Sequence, residues 1–348
     1  AVSRGNYQVV VGARSAIFAP VKNLGLVVVD EEHEATYKQN RSPRYHAREV
    51  AIRRARLNGA SAILGSATPS IESRYKCEVG EFHLLGLPYR VENRPLPEIE
   101  VVDMREGERS QIFHPRLKEE LDRATRAEDK VILFLNRRGF ASFIMCRDCG
   151  LVMRCRHCAV SLTYHIKVRR TLKCHHCGSQ MQSPEVCPQC GSHRVGYFGV
   201  GTQRIESEVG SLYPDYKIIR MDTDALRTKS AYVHKLLEFS STPKALLLGT
   251  QMIAKGLDFP EVTLVGVVNA DTALNLPDFR SAERTFQLMM QVSGRAGRGA
   301  KPGRVIVQTY APDHYAIESV REGSYDMFYQ RELAFRKELN YPPFSSLV

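Results

Sequence analysis

Short apolar runs rich in β-branched residues alternate along this chain with longer helical stretches. The runs are Tyr7–Val11, Leu26–Val29, Ala62–Leu64, Ile99–Val102, Val131–Leu135, Ile218–Met221, Ala245–Leu248, Val262–Val268 and Arg304–Gln308. They are continuous rather than alternating with polar residues. A strand with one wet face alternates, so a continuous run predicts a strand covered on both faces, as in parallel sheets flanked by helices. The pattern therefore predicts an α/β fold. Several runs end in a small polar or charged residue, at Asp30, Gly65, Asn136, Gly249 and Asn269. Ligands of such sheets bind beyond the carboxyl ends of the strands, so chemistry is expected there.

The stretch 84–97 is rich in proline and glycine and reads as a linker between two α/β units. A cysteine-rich segment interrupts the second unit just after Val131–Leu135. Near the end, Glu318–Leu339 reads as a helix that Pro342 and Pro343 stop. The expected division is 1–90 for the first unit, 91–144 for the linker and the start of the second, and 145–195 for the cysteine segment. The second unit then resumes over 196–320, and 321–348 opens a further domain. The chain begins without Met and stops at Val348, so it is expected to be a piece of a longer protein. No apolar run approaches the roughly 18 residues of a membrane span.

Charge changes the picture modestly. A formal net charge of +11 over 348 residues suits a polyanionic partner. The cysteines change it more. Eight of the nine form four C-x-x-C pairs, Cys146/Cys149, Cys155/Cys158, Cys174/Cys177 and Cys187/Cys190. Four thiolates bind one Zn²⁺ tetrahedrally, so four pairs bind two ions and leave no open position for water. The two middle pairs have zinc-module spacing, which assigns Cys155, Cys158, Cys174 and Cys177 to one ion. Cys146, Cys149, Cys187 and Cys190 are left for the other, with one site nested inside the other. Pairing sequence neighbours is the rival arrangement. Glycine follows three of the pairs, at Gly150, Gly178 and Gly191, where a tight turn favours it. His157, His175 and His176 are spare ligands. Nothing resembles a secretory leader, so metal is expected rather than disulfides. The segment has few long apolar side chains, and a module of this size needs such a staple. It is also basic, with Arg169 and Arg170 among its cations, which suits a docking surface for nucleic acid or protein.

Five further motifs carry candidate chemistry. The strand Leu26–Val29 ends in Asp30-Glu31-Glu32-His33. An Asp there suits Mg²⁺, and a Glu one residue on can orient and deprotonate an attacking water. Gly65-Ser66-Ala67-Thr68 closes the next strand, where hydroxyls can couple the carboxylates to movement elsewhere. Gly249-Thr250-Gln251 leads to Lys255-Gly256-Leu257-Asp258, and Gln291-Val-Ser-Gly294-Arg295-Ala-Gly297-Arg298 reads as a helix start. Arginines three apart on a helix share a face, and paired guanidiniums suit phosphoryl-transfer charge. The loop 36–46 mixes Tyr37 and Tyr45 with Lys38, Arg41 and Arg44, a composition suited to base stacking and phosphate attraction.

In this order the motifs resemble motifs II, III, V and VI of superfamily 2 helicases. With Asn136-Arg-Arg-Gly-Phe140, the eight cysteines and Gly199-Val-Gly-Thr-Gln-Arg204, the whole chain closely resembles the bacterial replication-restart helicases of the primosome. The resemblance implies RecA-like lobes, the first incomplete, with a two-zinc insert in the second. It implies ATP with Mg²⁺ as cofactor and 3′→5′ DNA unwinding that rebuilds replication forks and reloads the replicative helicase. Asp30 would hold Mg²⁺ and Glu31 would be the general base, with His33 closing the motif. Gln291, Arg295 and Arg298 would face the γ-phosphate, Arg298 as the finger, and Gly256 and Asp258 would meet the nucleotide. Thr250, Gln251 and the loop 36–46 would meet DNA. Implied partners are forked or single-stranded DNA, primosome proteins, single-stranded DNA-binding protein and the replicative helicase. A nucleoid-associated cytoplasmic monomer without membrane contact is expected. No G-x-x-x-x-G-K-[ST] loop occurs in the chain, so it is expected to be inactive alone. A duplex-DNA translocase of the same superfamily and a non-catalytic zinc scaffold remain rival readings.

Overall fold

The computed structural model describes all residues except 88–96, 107–110, 136–142, 166–170, 198–201, 223–227, 251–252, 254–258, 300 and 347–348. The chain divides into two compact units, Ala1–Leu85 and Gly86–Val348.

In the first unit, strands Leu26–Val29 and Ser61–Leu64 pair in parallel, with Val29 opposite Leu64. That register sets Asp30 beside Gly65, so two motifs distant in sequence share one sheet edge. Helix Ala47–Leu57 packs on the pair. Its buried positions Ala47, Ala51 and Ala55 recur every fourth residue, and their small side chains let the helix lie close. Helix Ile71–Glu78 starts at Ser70, whose hydroxyl accepts from the Ser73 amide. Two expectations fail here. Tyr7–Val11 forms no strand; Val9 and Val11 are 78% and 92% exposed. A β-branched run without a partner has nowhere to place its backbone hydrogen bonds. The strand pair is also not covered on both faces: Leu26, Val28 and Ile63 are exposed, whereas Val29 is buried.

In the second unit the four inner strands meet the expectation, while the edge strands Lys217–Met221 and Glu98–Asp103 are only partly buried. Six parallel strands run in the order Lys217–Met221, Ala245–Gly249, Lys130–Leu135, Val262–Asn269, Arg304–Thr309, Glu98–Asp103. Lys130–Leu135 and Ala245–Gly249 are buried throughout. Each fully buried Val, Leu or Ile contributes about 1.5–3 kcal/mol, which makes this sheet the main source of stability. Helix Pro115–Arg126 lies against it, its Leu117, Leu121 and Ala124 buried. Gly266 leaves room for that contact: a Cβ there would come within 2.7 Å of Leu133 and 3.0 Å of Leu117.

The cysteine segment is built from strands of three residues, Ile144–Cys146 with Val195–Tyr197, and Thr163–His165, Thr171–Lys173 and Gln180–Gln182 as an antiparallel sheet. Past the large sheet, the single helix expected over Glu318–Leu339 is two, Tyr315–Arg321 and Tyr325–Glu338. They are separated at Gly323, whose φ of +61° is the left-handed conformation that ends helices. Among the described residues no helix is long and apolar enough to cross a membrane.

Candidate functional site

The structure gathers the eight paired cysteines into two clusters, Cys146/Cys149/Cys187/Cys190 and Cys155/Cys158/Cys174/Cys177, the sulfurs of each within 4.8 Å of one another. The second lies inside the first in sequence. The separations Cys146–Cys190, Cys149–Cys187 and Cys155–Cys177 are each 3.6 Å. A disulfide would require about 2.05 Å. Sulfurs about 2.3 Å from a tetrahedral zinc lie about 3.8 Å apart, so each cluster fits one such ion.

Four equivalent turns build the clusters. In each, the amide four residues past the first cysteine donates to that cysteine's carbonyl, from Gly150, Ala159, Gly178 and Gly191. All four residues have positive φ, and Ala159 carries the strain that glycine avoids elsewhere. The amides of His176 and Cys177 reach the Cys174 sulfur. Donation from the Ser179 amide holds the Cys177 thiol down at about 7, while burial pushes Cys158 up to about 12. His165 and His175 face each other outside the clusters, their Nε2 atoms 3.3 Å apart.

The first unit brings the Asp-Glu-Glu-His and Ser-Ala-Thr motifs together. The Glu31 amide donates to Asp30 Oδ1 at 3.0 Å, with Glu31 at φ +47°. His33 Nδ1 lies 2.7 Å from Ser66 Oγ and 3.6 Å from Glu31 Oε2. Ser66 thus touches the histidine that touches the candidate base. The Glu31 carboxylate is half exposed, open to a water or ligand. Glu32 points the other way. Buried, it accepts from Arg48 Nη1 at 2.7 Å, the Ser70 amide at 2.6 Å and Ser73 Oγ at 3.0 Å. Sequence reasoning missed this clamp, because an acidic run does not reveal which carboxylate turns inward.

The loop 36–46 is a hairpin in which Lys38–Gln39 pairs with Tyr45–His46. Arg14 fastens it through the carbonyls of Thr36 and Lys38 and the side chain of Gln39. Lys38, Arg41 and Arg44 are exposed. Tyr45 packs edge-on against Phe18, 5.0 Å between centroids, and Tyr37 donates its hydroxyl to the Asp30 carbonyl at 2.7 Å. Tyr37 therefore joins the hairpin to the carboxylate strand.

In the second unit the segment read as a helix start is a helix end. Helix Ser281–Ser293 stops at Gly294, and Arg295 follows in a turn and Arg298 in irregular backbone. Helical spacing therefore does not set their common face. Gly297, at φ +68°, and Gly303 approach so closely that a Cβ on either would meet backbone within 2.6 Å. Arg298 Nε donates to the Gly294 carbonyl at 2.7 Å, capping the helix where its dipole favours a cation. Gln291 lies in the last turn, half-buried. Thr250, at the end of strand Ala245–Gly249, is 4% exposed. Gln251, Gly256, Asp258, Arg169 and Arg170 lie outside the described residues.

Two docking contacts were also missed. A Cβ on Gly150 would lie 2.3 Å from the Tyr310 carbonyl oxygen, so the outer turn sits directly on the end of strand Arg304–Thr309. The Tyr310 amide and Thr309 hydroxyl both donate to Asp271, whose carboxyl burial pushes up to about 6 against those donors. At the inner turn, Tyr341 donates to the Cys158 carbonyl at 3.0 Å. Long-range contacts of this kind leave no trace in cysteine spacing.

The comparisons with known proteins agree with this arrangement. Residues 155–182, which hold the inner cluster, match the PriA DNA helicase Cys-rich region domain, and residues 191–300 match the helicase conserved C-terminal domain. The replication restart protein PriA of Bacillus subtilis is 52% identical over all of this chain, which spans 43% of that protein. Its counterpart in Treponema pallidum is 48% identical over 98% of this chain and 51% of its own. The chain belongs to the PriA family. It spans about half the length of the curated relatives it matches. Among solved structures, RecG bound to a three-way DNA junction aligns with 94% of this chain and 31% of its own, at 13% identity and a TM-score of 0.41. Yeast Dbp5 bound to RNA and ADP BeF3 aligns with 92% and 64%, at 14% identity and a TM-score of 0.46.

Proposed function

We propose that this chain is the motor segment of an ATP-dependent 3′→5′ DNA helicase that acts at stalled or repaired forks and reloads the replicative helicase. The observation that carries the reading is one chain, 52% identical throughout to a replication restart protein, that holds both the joined carboxylate–hydroxyl site and two four-sulfur clusters.

Asp30 would hold Mg²⁺ of a bound nucleotide, and that ion would neutralise charge developing on the phosphates. The chain's own residues do the rest. Glu31, half exposed and held beside His33, accepts the proton of the attacking water. Ser66 fixes the His33 ring while its hydroxyl accepts from the Thr68 amide. The Tyr37 bond to the Asp30 carbonyl carries a shift at the carboxylates into a hairpin of exposed cations, suited to a DNA strand. Arg295 and Arg298 stabilise charge on the transferring phosphoryl group. The eight paired cysteines would hold two zinc ions with structural roles, since sulfur fills every position.

The test is Glu31→Gln in the longer protein that also carries a phosphate loop. Loss of a general base lowers DNA-dependent ATP hydrolysis by about 10²–10⁴-fold while DNA affinity is kept. Unchanged hydrolysis would overturn the assignment.

A further inference from the structure

The inner cysteine turn is tied to the helix that runs up to the two candidate arginines. Tyr341, 7% exposed, donates its hydroxyl to the Cys158 carbonyl at 3.0 Å. Its ring stacks on Phe279, 4.7 Å between centroids and 15° between planes. Phe279 stands two residues before helix Ser281–Ser293 and belongs to the same buried apolar cluster as Met153, Val160, Leu162 and Leu172 of the cysteine module. The Arg336 guanidinium also lies over this ring, 5.2 Å from its centroid.

Arg336 completes the tie. It is fully buried and donates to Glu332 Oε1 and Glu283 Oε2, both at 2.7 Å, and to the Pro342 carbonyl at 3.2 Å. Glu332 also accepts the Tyr315 hydroxyl at 2.6 Å. Glu283 belongs to the first turn of Ser281–Ser293, and Gln291 to its last. Apolar packing alone lets helices slide. A planar guanidinium bonded to carboxylates on two helices has one geometry, and the low dielectric around it strengthens those bonds. A helix of 13 residues is a rod about 20 Å long, so a displacement at Glu283 is felt at Gln291 and Arg295.

We propose that Tyr341 and Arg336 are positioning residues that make the inner cysteine turn and the arginine-bearing end of Ser281–Ser293 move as one body, so that the cysteine module is driven by the motor rather than carried beside it. The inference rests on the proposed motor function and adds the part that transmits its stroke. Breaking the tie should leave hydrolysis running but disconnect it from strand separation.

The experiment uses the longer protein and two variants, Tyr341→Phe, which removes only the hydroxyl bond, and Tyr341→Leu, which also removes the stack. Both are expected to keep their zinc and to hydrolyse ATP within about twofold of the parent, a margin smaller than one lost hydrogen bond. Base pairs unwound per ATP should fall about fivefold in the first and tenfold or more in the second, the scale of a lost hydrogen bond and then a lost aromatic pair. Unchanged coupling in both variants overturns the proposal. So does a parallel fall of hydrolysis, unwinding and zinc content, which marks a merely structural role. Hydrogen exchange supplies an arm independent of motor activity. Cys158→Ser, which removes an inner ligand, should speed amide exchange in the first turn of Ser281–Ser293, and in the Tyr341→Leu background it should no longer do so. The same response in both backgrounds overturns the tie even if the parent proves to be no motor, and absent hydrolysis in the parent with an intact exchange response overturns only the motor reading.

Discussion

The six-stranded sheet and the cysteine module belong to one compact unit but are held by different forces. The sheet buries whole strands, Lys130–Leu135 and Ala245–Gly249 among them, and folds on what it removes from water. The module has strands of three residues, and three of the nine residues in its buried core, Cys155, Cys174 and Tyr341, are two ligands and the side chain docked on a third. With so little apolar surface of its own, its fold is expected to depend on what its thiolates hold. The difference shows how a small, metal-dependent element can be given a precise position. The sheet provides a rigid seat at Tyr310 for the outer turn, and the C-terminal helices provide another at Tyr341 for the inner one.

Metal removal should separate the two regions most. Metal analysis should find about two zinc ions per chain, four thiolates to each. Chelation under reducing conditions should abolish amide protection over 144–197 and leave the strands of the large sheet protected. Cys155→Ser should lower the count to about one and keep Cys146, Cys149, Cys187 and Cys190 shielded from alkylation, because the sulfurs group as nested clusters. Alkylation of Cys146 in that variant would support neighbour pairing instead.

The converse break comes next. Leu133 is fully buried in the sheet, against Gly266 and helix Pro115–Arg126. Leu133→Ala should cost about 2–5 kcal/mol by denaturant unfolding, with zinc content unchanged. A loss of zinc together with stability would mean that the module has no independent hold on its metal.

The smallest effects sharpen the picture at the contact itself. Gly150 and Gly191 occupy equivalent turns with φ of +75° and +72°. A Cβ on Gly191 meets nothing within 4 Å, whereas one on Gly150 meets the Tyr310 carbonyl. Gly191→Ala should cost about 1 kcal/mol for backbone strain, and Gly150→Ala about 1–3 kcal/mol more from overpacking. Equal costs in thermal unfolding would show that the outer turn is not seated on the sheet.

Much of this molecule was legible in its sequence, and the failures share a cause. Eight of the nine apolar runs are strands, because a run that must be buried on a sheet announces itself by composition. Tyr7–Val11 has the same composition and no partner. Gln291–Arg298 reads in sequence as a helix start, whereas the helix lies before Gly294 rather than after it. The Glu32–Arg48 clamp, the buried Glu283–Arg336–Glu332 network and the two tyrosine seats join residues far apart in the chain. Local pattern carries propensity and spacing. It does not carry which polar groups turn inward to meet each other.

The central claim is that these residues form a motor whose arginines and carboxylates act only on a phosphate chain positioned by another segment. The most direct measurement is ATP hydrolysis by this chain and by the N-terminally extended protein, each with and without forked DNA. Positioning supplies much of phosphoryl-transfer catalysis, so this chain alone should show no turnover above background, and the extended protein should hydrolyse ATP in a DNA-dependent way. DNA-dependent turnover by this chain alone, or none by the extended protein, would contradict the account.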